Sequence, residues 1–146
     1  MSNDRFVMTL MRVAVTLIFL LTFLLAAIGK WIDGGAPEWF VDQFSETWMG
    51  AFPQTPMYLS IALLESLIAI AAILSLCRGE WLTIEAPVLK YTLVASLFMF
   101  IILGFGARTA GDFNAAASHF FYFSGTLLAL VVIDRDERIA AVASSN

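Results

Sequence analysis

The chain has 146 residues, of which 60% are apolar and only 14% charged, and its mean hydropathy is +0.85. A soluble domain carries about 25% charged residues, so the composition indicates one integral membrane domain over residues 1–146. The net charge of −4 comes without a basic cluster and predicts no nucleic-acid partner, and the single cysteine, Cys77, excludes an internal disulfide, a dithiol centre and a cysteine-built metal site.

Four apolar stretches are long enough to cross a hydrocarbon core of about 30 Å, which takes about 20 helical residues. The first follows Arg5 and Arg12 and exceeds the apolar core of a signal peptide, so a retained membrane helix is predicted. The chain is therefore expected to be all-α, a four-helix transmembrane bundle. The predicted membrane helices are residues 8–29, 57–77, 88–106 and 115–133.

The long first connection contains an amphipathic segment, residues 37–50. Pro37 stands where a helix begins, and Phe40, Phe44 and Trp48 recur every four residues. The acidic side chains lie on the opposite side: Glu38, Asp42 and Glu46. This pattern predicts an interfacial helix in the first outer loop. Two placements are open, either flat in the membrane interface with a belt of tryptophans or folded as a lid over a ligand site.

The second helix contains the stretch IALLESLIAI, which places Glu65 about 3 Å from the helix centre. An ionised carboxylate at that depth is costly unless it is paired or neutralised. Small residues mark helix contacts in membranes, so Glu65 is predicted to face the bundle. The predicted inner face is Tyr58, Ala62, Glu65, Ala69 and Ala72, and the predicted lipid face is Leu63, Leu67, Ile70 and Leu74.

The fourth helix has a comparable face of small and polar residues. Its His119 lies about 7 Å outward of the helix centre, in the same half as Glu65. Asp112 or Asn114 is placed to cap the helix start. The predicted inner face is Ala115, Ser118, His119, Tyr122, Gly125, Thr126 and Ala129, and the predicted lipid face is Phe120, Phe121, Leu127, Leu128 and Val131.

The distribution of lysine and arginine predicts the orientation of the chain. One side of the membrane receives Arg5, Arg12, Arg78, Lys90, Arg135 and Arg138, and the other receives Lys30 and Arg108. This bias predicts that both termini are cytoplasmic and that the long first loop faces outward. An integral protein of a bacterial inner membrane is the expected setting.

The ionisable residues of the outer half form a candidate site. Glu65 and His119 are the candidate catalytic residues, and Glu65 is expected to be protonated or paired with a cation such as Arg108. The candidate ligand-binding residues are Lys30, Arg108, Tyr58, Tyr122 and Thr126. In a purely structural alternative Glu65 only holds the bundle together, Lys30 and Arg108 extend to the interface, and Asp112 is a cap.

One histidine and one glutamate are too few ligands for zinc, so no metal is predicted. Proton exchange and recognition of a small polar headgroup are the chemistries that these residues support. A quinone suits both, because it needs an apolar slot and hydrogen-bond donors for its two carbonyls. It would reach such a site from the membrane.

Two motifs carry a family resemblance. The first helix ends in FLLAAIGKW and the second contains ALLESLIAIAAIL, and together with the long first loop they resemble the DoxX-like membrane proteins from Arg12 to Ile133. The resemblance implies a four-helix transmembrane bundle and carries Lys30 and Glu65 over as family positions. DoxX-like proteins include a subunit of a thiosulfate:quinone oxidoreductase, and others are associated with membrane redox complexes.

Three functions follow from these expectations. The first is a partner-dependent, quinone-linked redox subunit that exchanges protons at the outer-half site. The second is a non-catalytic accessory or assembly subunit of a larger membrane complex, with the small-residue faces and the amphipathic helix as docking surfaces. The third is a small-molecule permease, for which four helices would need an oligomer. Membrane lipid and either a partner subunit or a second copy are the expected partners.

Overall fold

A computed structural model describes residues 3–144 of the chain and the side chains of residues 5–142. The described chain is helical, and four of its helices are long and apolar enough to cross a membrane. The protein is an integral membrane protein, and the predicted four-helix bundle is confirmed. The helices are α1 (Asn3–Asp33), α2 (Glu38–Ser45), a short 3-10 helix (Trp48–Ala51), α3 (Gln54–Cys77), α4 (Pro87–Thr109) and α5 (Phe113–Ser144).

The fourth membrane helix extends well beyond the predicted span of 115–133, because its polar end has partners within the bundle. Glu137 is buried and accepts hydrogen bonds from the backbone N–H of Ala86 at 2.8 Å and from Lys90 Nζ. These contacts hold the end of α5 against the start of α4. The first helix is also longer than predicted, since its last turn carries side chains that bind α3.

The helices pack in the order α1, α3, α4, α5, with α1 chiefly against α3 and α4 chiefly against α5. The rings of Phe23 and Phe100, from α1 and α4, lie 5.5 Å apart in the core. On α3 the predicted faces are confirmed, because small residues permit the close approach of α1. The buried face contains Tyr58, Ala62, Glu65, Ala69 and Ala72, and the exposed face contains Leu63, Leu67, Ile70 and Leu74.

The predicted face of α5 is partly wrong. Tyr122 is 55% exposed and Gly125 is also exposed, whereas Phe123 packs against the core around Phe23. Burial of a large apolar side chain is favoured over burial of small and polar residues. The inner face of α5 is therefore rotated relative to the predicted one. The stripe that faces the bundle is His119, Phe123, Thr126, Leu130, Ile133 and Glu137.

A buried arginine, Arg12, binds three parts of the structure at one end of the bundle. This end lies opposite Lys30, and we call it the Arg12 end. Arg12 is 3% exposed and donates to the carbonyls of Glu80, Thr83 and Ile84 at 3.2, 2.7 and 2.9 Å. It also pairs with Asp136 of α5 at 3.0 Å. The guanidinium therefore fastens α1 to the α3–α4 connection and to α5. From the sequence, Arg12 was predicted only to contribute to the orientation of the chain in the membrane.

The buried carboxylate of Glu80 completes the Arg12 end. Its oxygens accept from the backbone N–H groups of Val88 at 2.9 Å and Leu89 at 2.8 Å, and from the hydroxyl of Ser75 at 2.8 Å. The first N–H groups of a helix have no partner inside the helix, and a carboxylate also suits the positive end of the helix dipole. Glu80 thus caps α4 from the preceding loop.

Candidate functional site

The candidate site is built around a buried ion pair between α1 and α3. Glu65 is 2% exposed, and Lys30 Nζ donates to its two carboxylate oxygens at 3.0 and 2.9 Å. Glu65 is paired with a cation, as expected, but that cation is Lys30 rather than Arg108. The pairing depends on α1, which continues past residue 29 and brings Lys30 into contact with α3. Mutual neutralisation is what makes a charge tolerable at this depth.

Two further groups extend the ion pair. The buried Tyr58 donates its hydroxyl to Asp33 Oδ2 at 2.6 Å, and Lys30 Nζ lies 5.9 Å from the centroid of the Tyr58 ring. We call Lys30, Asp33, Tyr58 and Glu65 the Lys30 cluster. Asp33 was not among the predicted site residues. Its sequence signal is its position one turn after Lys30, on the same face of α1.

Helix α2 packs against Tyr58 of the Lys30 cluster. Phe40 and Phe44 are buried against Tyr58, with the Phe40 and Tyr58 ring centroids 4.9 Å apart. The predicted amphipathic pattern is present within α2, where Phe40 and Phe44 are buried and the acidic residues are exposed. The helix is shorter than the predicted 37–50, because it ends at Ser45. Trp48 lies in the short 3-10 helix, is 60% exposed and does not belong to the buried face. The contacts with Tyr58 favour the lid over the helix that lies flat. They also remove the apolar face of α2 as a docking surface for a partner, because that face is occupied within the chain.

His119 lies in a different environment from Glu65. Its ring stacks on Phe100 of α4, with centroids 6.4 Å apart and planes 28° apart, and meets the edge of Tyr122 at 6.1 Å. Its Nδ1 is buried without a hydrogen-bond partner among the described residues. No hydrogen bond or ion pair within residues 5–142 joins His119 to Glu65. Glu65 is turned toward α1 and His119 toward α4, which separates the two candidates.

Arg108 and Asp112 have local partners at the end of α4 and the start of α5. The Arg108 guanidinium lies over the Phe113 ring, 4.4 Å from its centroid. Asp112 Oδ1 accepts from the backbone N–H of Ala115 at 2.9 Å. Asp112 therefore acts as the predicted cap, and Arg108 is held by a cation–π contact rather than by Glu65.

The two remaining predicted ligand-binding residues lie on α5 without converging on the Lys30 cluster. Thr126 is buried, but its hydroxyl donates to the carbonyl of Tyr122 at 2.7 Å, one turn earlier. Tyr122 directs much of its ring outward, toward lipid. Of the seven predicted site residues, the structure thus brings together Lys30, Tyr58 and Glu65.

The Lys30 cluster places two hydrogen-bonded pairs of ionisable side chains side by side. An ammonium group has three N–H donors, of which two are used by Glu65. The Tyr58–Asp33 hydrogen bond adds a second proton-carrying pair next to the first. Within the described residues no group of three or more His, Cys, Asp or Glu side chains is arranged to hold a metal ion.

Comparison of the chain with protein-family models, with curated proteins and with solved structures found no match. The resemblance to the DoxX-like family stays a prediction that rests on the two motifs around Lys30 and Glu65.

Proposed function

We propose that this chain is a DoxX-like membrane subunit that acts with a protein partner in a quinone-linked redox reaction. The observation that supports the proposal best is the buried Lys30–Glu65 pair. Ionisable side chains inside membrane helices are rare and mark functional sites. A hydrophobic pair of similar volume would hold two helices together at least as well, so helix packing alone does not explain these two residues.

The residues present fit a quinone headgroup in two respects. Lys30 retains one N–H beyond the two that Glu65 accepts. The buried Nδ1 of His119 has no partner among the described side chains and lies beside the ring of Phe100. In the tautomer with its proton on Nδ1, His119 offers a donor next to an aromatic wall. A carbonyl oxygen requires such a donor, and a flat ring suits such a wall.

The chain's own residues contribute binding, charge and protons. A bound quinone would supply the electron-accepting chemistry, and the partner protein would supply the electrons. Lys30 directs positive charge toward a headgroup oxygen, while the Lys30–Glu65 pair and His119 are the groups that exchange protons. The proposed setting is a bacterial inner membrane, and the bias of lysine and arginine supports an orientation with both termini in the cytoplasm.

Quinone content of the purified protein tests this proposal. We expect quinone in lipid extracts of gently solubilised protein. The content should be about fivefold lower in His119→Ala, since one hydrogen bond contributes about 1 kcal/mol. It should be at least as low in Glu65→Gln, because the charge that holds Lys30 in place is removed. Ser66→Ala and Ser118→Ala alter neighbouring positions on the same helices and serve as controls. Equal quinone content in the site variants and the controls would show that the redox proposal is wrong.

A second function, a non-catalytic accessory subunit, is favoured by a different observation. Both oxygens of Glu65 are engaged by Lys30, so the ion pair is complete without a ligand. The double variant Lys30→Met, Glu65→Leu removes the charges and keeps the bulk. If an affinity-purified complex keeps its partner and its activity with this variant, the accessory role is supported; loss of activity with the partner still bound supports the redox role.

A further inference from the structure

A groove between α3 and α4 has no role in the proposed function. It has a volume of about 360 Å³ and is walled almost entirely by apolar side chains. Leu67 and Phe98 on its rim are exposed, so the groove opens on the lipid-facing surface. The lining includes Leu64, Leu67 and Ala71 from α3 and Tyr91, Ala95 and Phe98 from α4, and none of the Lys30 cluster.

The dimensions of the groove suit one hydrocarbon chain. Its lining on α4 runs from Tyr91 to Ile102, which is about 16 Å of helix and about half of a hydrocarbon core of about 30 Å. A single hydrocarbon chain can lie along such a narrow apolar groove with its length parallel to the helices. The groove therefore suits an acyl chain from one leaflet of the membrane.

A cation lies in register with the groove at the Arg12 end. Leu64, Ala71 and Arg78 are each seven residues apart, and the Arg78 backbone is still helical (φ −75°, ψ −8°), so all three share one face of α3. Arg78 is exposed, and its side chain has no hydrogen bond or ion pair among the described residues. Tyr91, 74% exposed on the second turn of α4, lines the same end of the groove.

We infer that this groove binds an acyl chain of an anionic phospholipid whose phosphate is held by Arg78 and the Tyr91 hydroxyl. The apolar walls exclude a charged or highly polar occupant. The guanidinium supplies the complementary charge where a headgroup of that leaflet lies, and arginine matches the geometry of phosphate oxygens.

Native mass spectrometry of the purified protein tests the headgroup assignment. The protein is equilibrated with equal amounts of phosphatidylglycerol and phosphatidylcholine, and the ratio of the two bound lipids is measured. Arg78→Gln should lower the preference for phosphatidylglycerol about fivefold, the effect of one cation near an anionic headgroup. Arg135→Gln removes an exposed arginine near the same end and should leave the ratio unchanged. Equal ratios in these two variants would overturn the inference.

A second pair of variants tests the groove itself. Ala95→Leu places a larger side chain in the groove and should abolish retention of both lipids, whereas Val94→Leu adds a methylene at the same depth outside the lining and should retain them. Unchanged retention of the two lipids in Ala95→Leu would overturn the inference. A dimeric protein that becomes monomeric in Ala95→Leu would also overturn it, because the groove would then hold a second copy of the chain. Tyr91→Phe keeps the wall and deletes the hydroxyl, so it checks the headgroup contact in a variant with unaltered packing.

Discussion

At the scale of single residues, the pairing of Glu65 decides how its burial is interpreted. The carboxylate is almost fully buried, but both of its oxygens accept from one ammonium group. Removing one member of such a pair leaves an uncompensated charge in a low-dielectric site, which costs far more than removing both. The pair is therefore a single unit in stability as well as in the proposed chemistry.

We predict that Lys30→Met lowers the free energy of unfolding by about 3–5 kcal/mol, and that adding Glu65→Leu to it restores most of the loss. Unfolding of the purified protein by SDS in mixed micelles measures both. Trp31→Phe is the matched control, since it removes the neighbouring α1–α3 hydrogen bond from Trp31 Nε1 to Ser66 Oγ and should cost about 1 kcal/mol. An equal loss in the single and the double variant would contradict the prediction.

At the scale of elements, local pattern and tertiary contact contributed differently to each helix. The face of α3 was predictable because small and large side chains alternate at helical spacing along it. The face of α5 was predictable in part. Its predicted lipid face is exposed, but Phe123 packs against the core where Tyr122 had been expected, and that choice depends on contacts with other helices. For α2 the pattern predicted an amphipathic helix, and the position of Tyr58 determined what it covers.

We predict that Phe44→Ala releases α2 from the bundle, because truncating a buried phenylalanine costs about 3–5 kcal/mol. Glutamyl endopeptidase measures the release, since α2 carries Glu38 and is followed by Glu46. Cleavage at these two sites should accelerate at least about tenfold. A tenfold change corresponds to about 1.4 kcal/mol, which is less than the expected cost of the truncation. Trp48→Ala truncates an aromatic side chain that is 60% exposed and should change the rate little. Similar rates for the two variants would show that Phe44 does not hold α2.

At the scale of the whole molecule, the two ends of the bundle differ in how far their charged side chains are buried and paired. The Arg12 end joins α1, the α3–α4 connection and α5 through hydrogen bonds between buried or half-buried groups. At the other end the acidic side of α2 is exposed above the Lys30 cluster. Four membrane helices place the two termini on the same side, and the excess of lysine and arginine at the Arg12 end predicts that this side is cytoplasmic.

We predict that cysteine labelling of intact bacterial cells will show this orientation. In a Cys77→Ser background, Asp42→Cys on the exposed side of α2 should react with a membrane-impermeant maleimide. Arg135→Cys, near the end of α5, should react only after the membrane is permeabilised. The reverse pattern would contradict the predicted orientation, and labelling of both variants in intact cells would contradict a single orientation.

The sequence by itself determined the class of the protein, the number of membrane helices, the inner face of α3 and the amphipathic character of α2. These features depend on composition and on the spacing of residues that lie within about 20 positions of one another. Each can therefore be predicted from one short stretch of the sequence. Only the tertiary structure decided that Glu65 pairs with Lys30, 35 positions away, and that Arg12 pairs with Asp136, 124 positions away. Several cations could have reached each of these carboxylates, and the choice between them depended on which helices became neighbours.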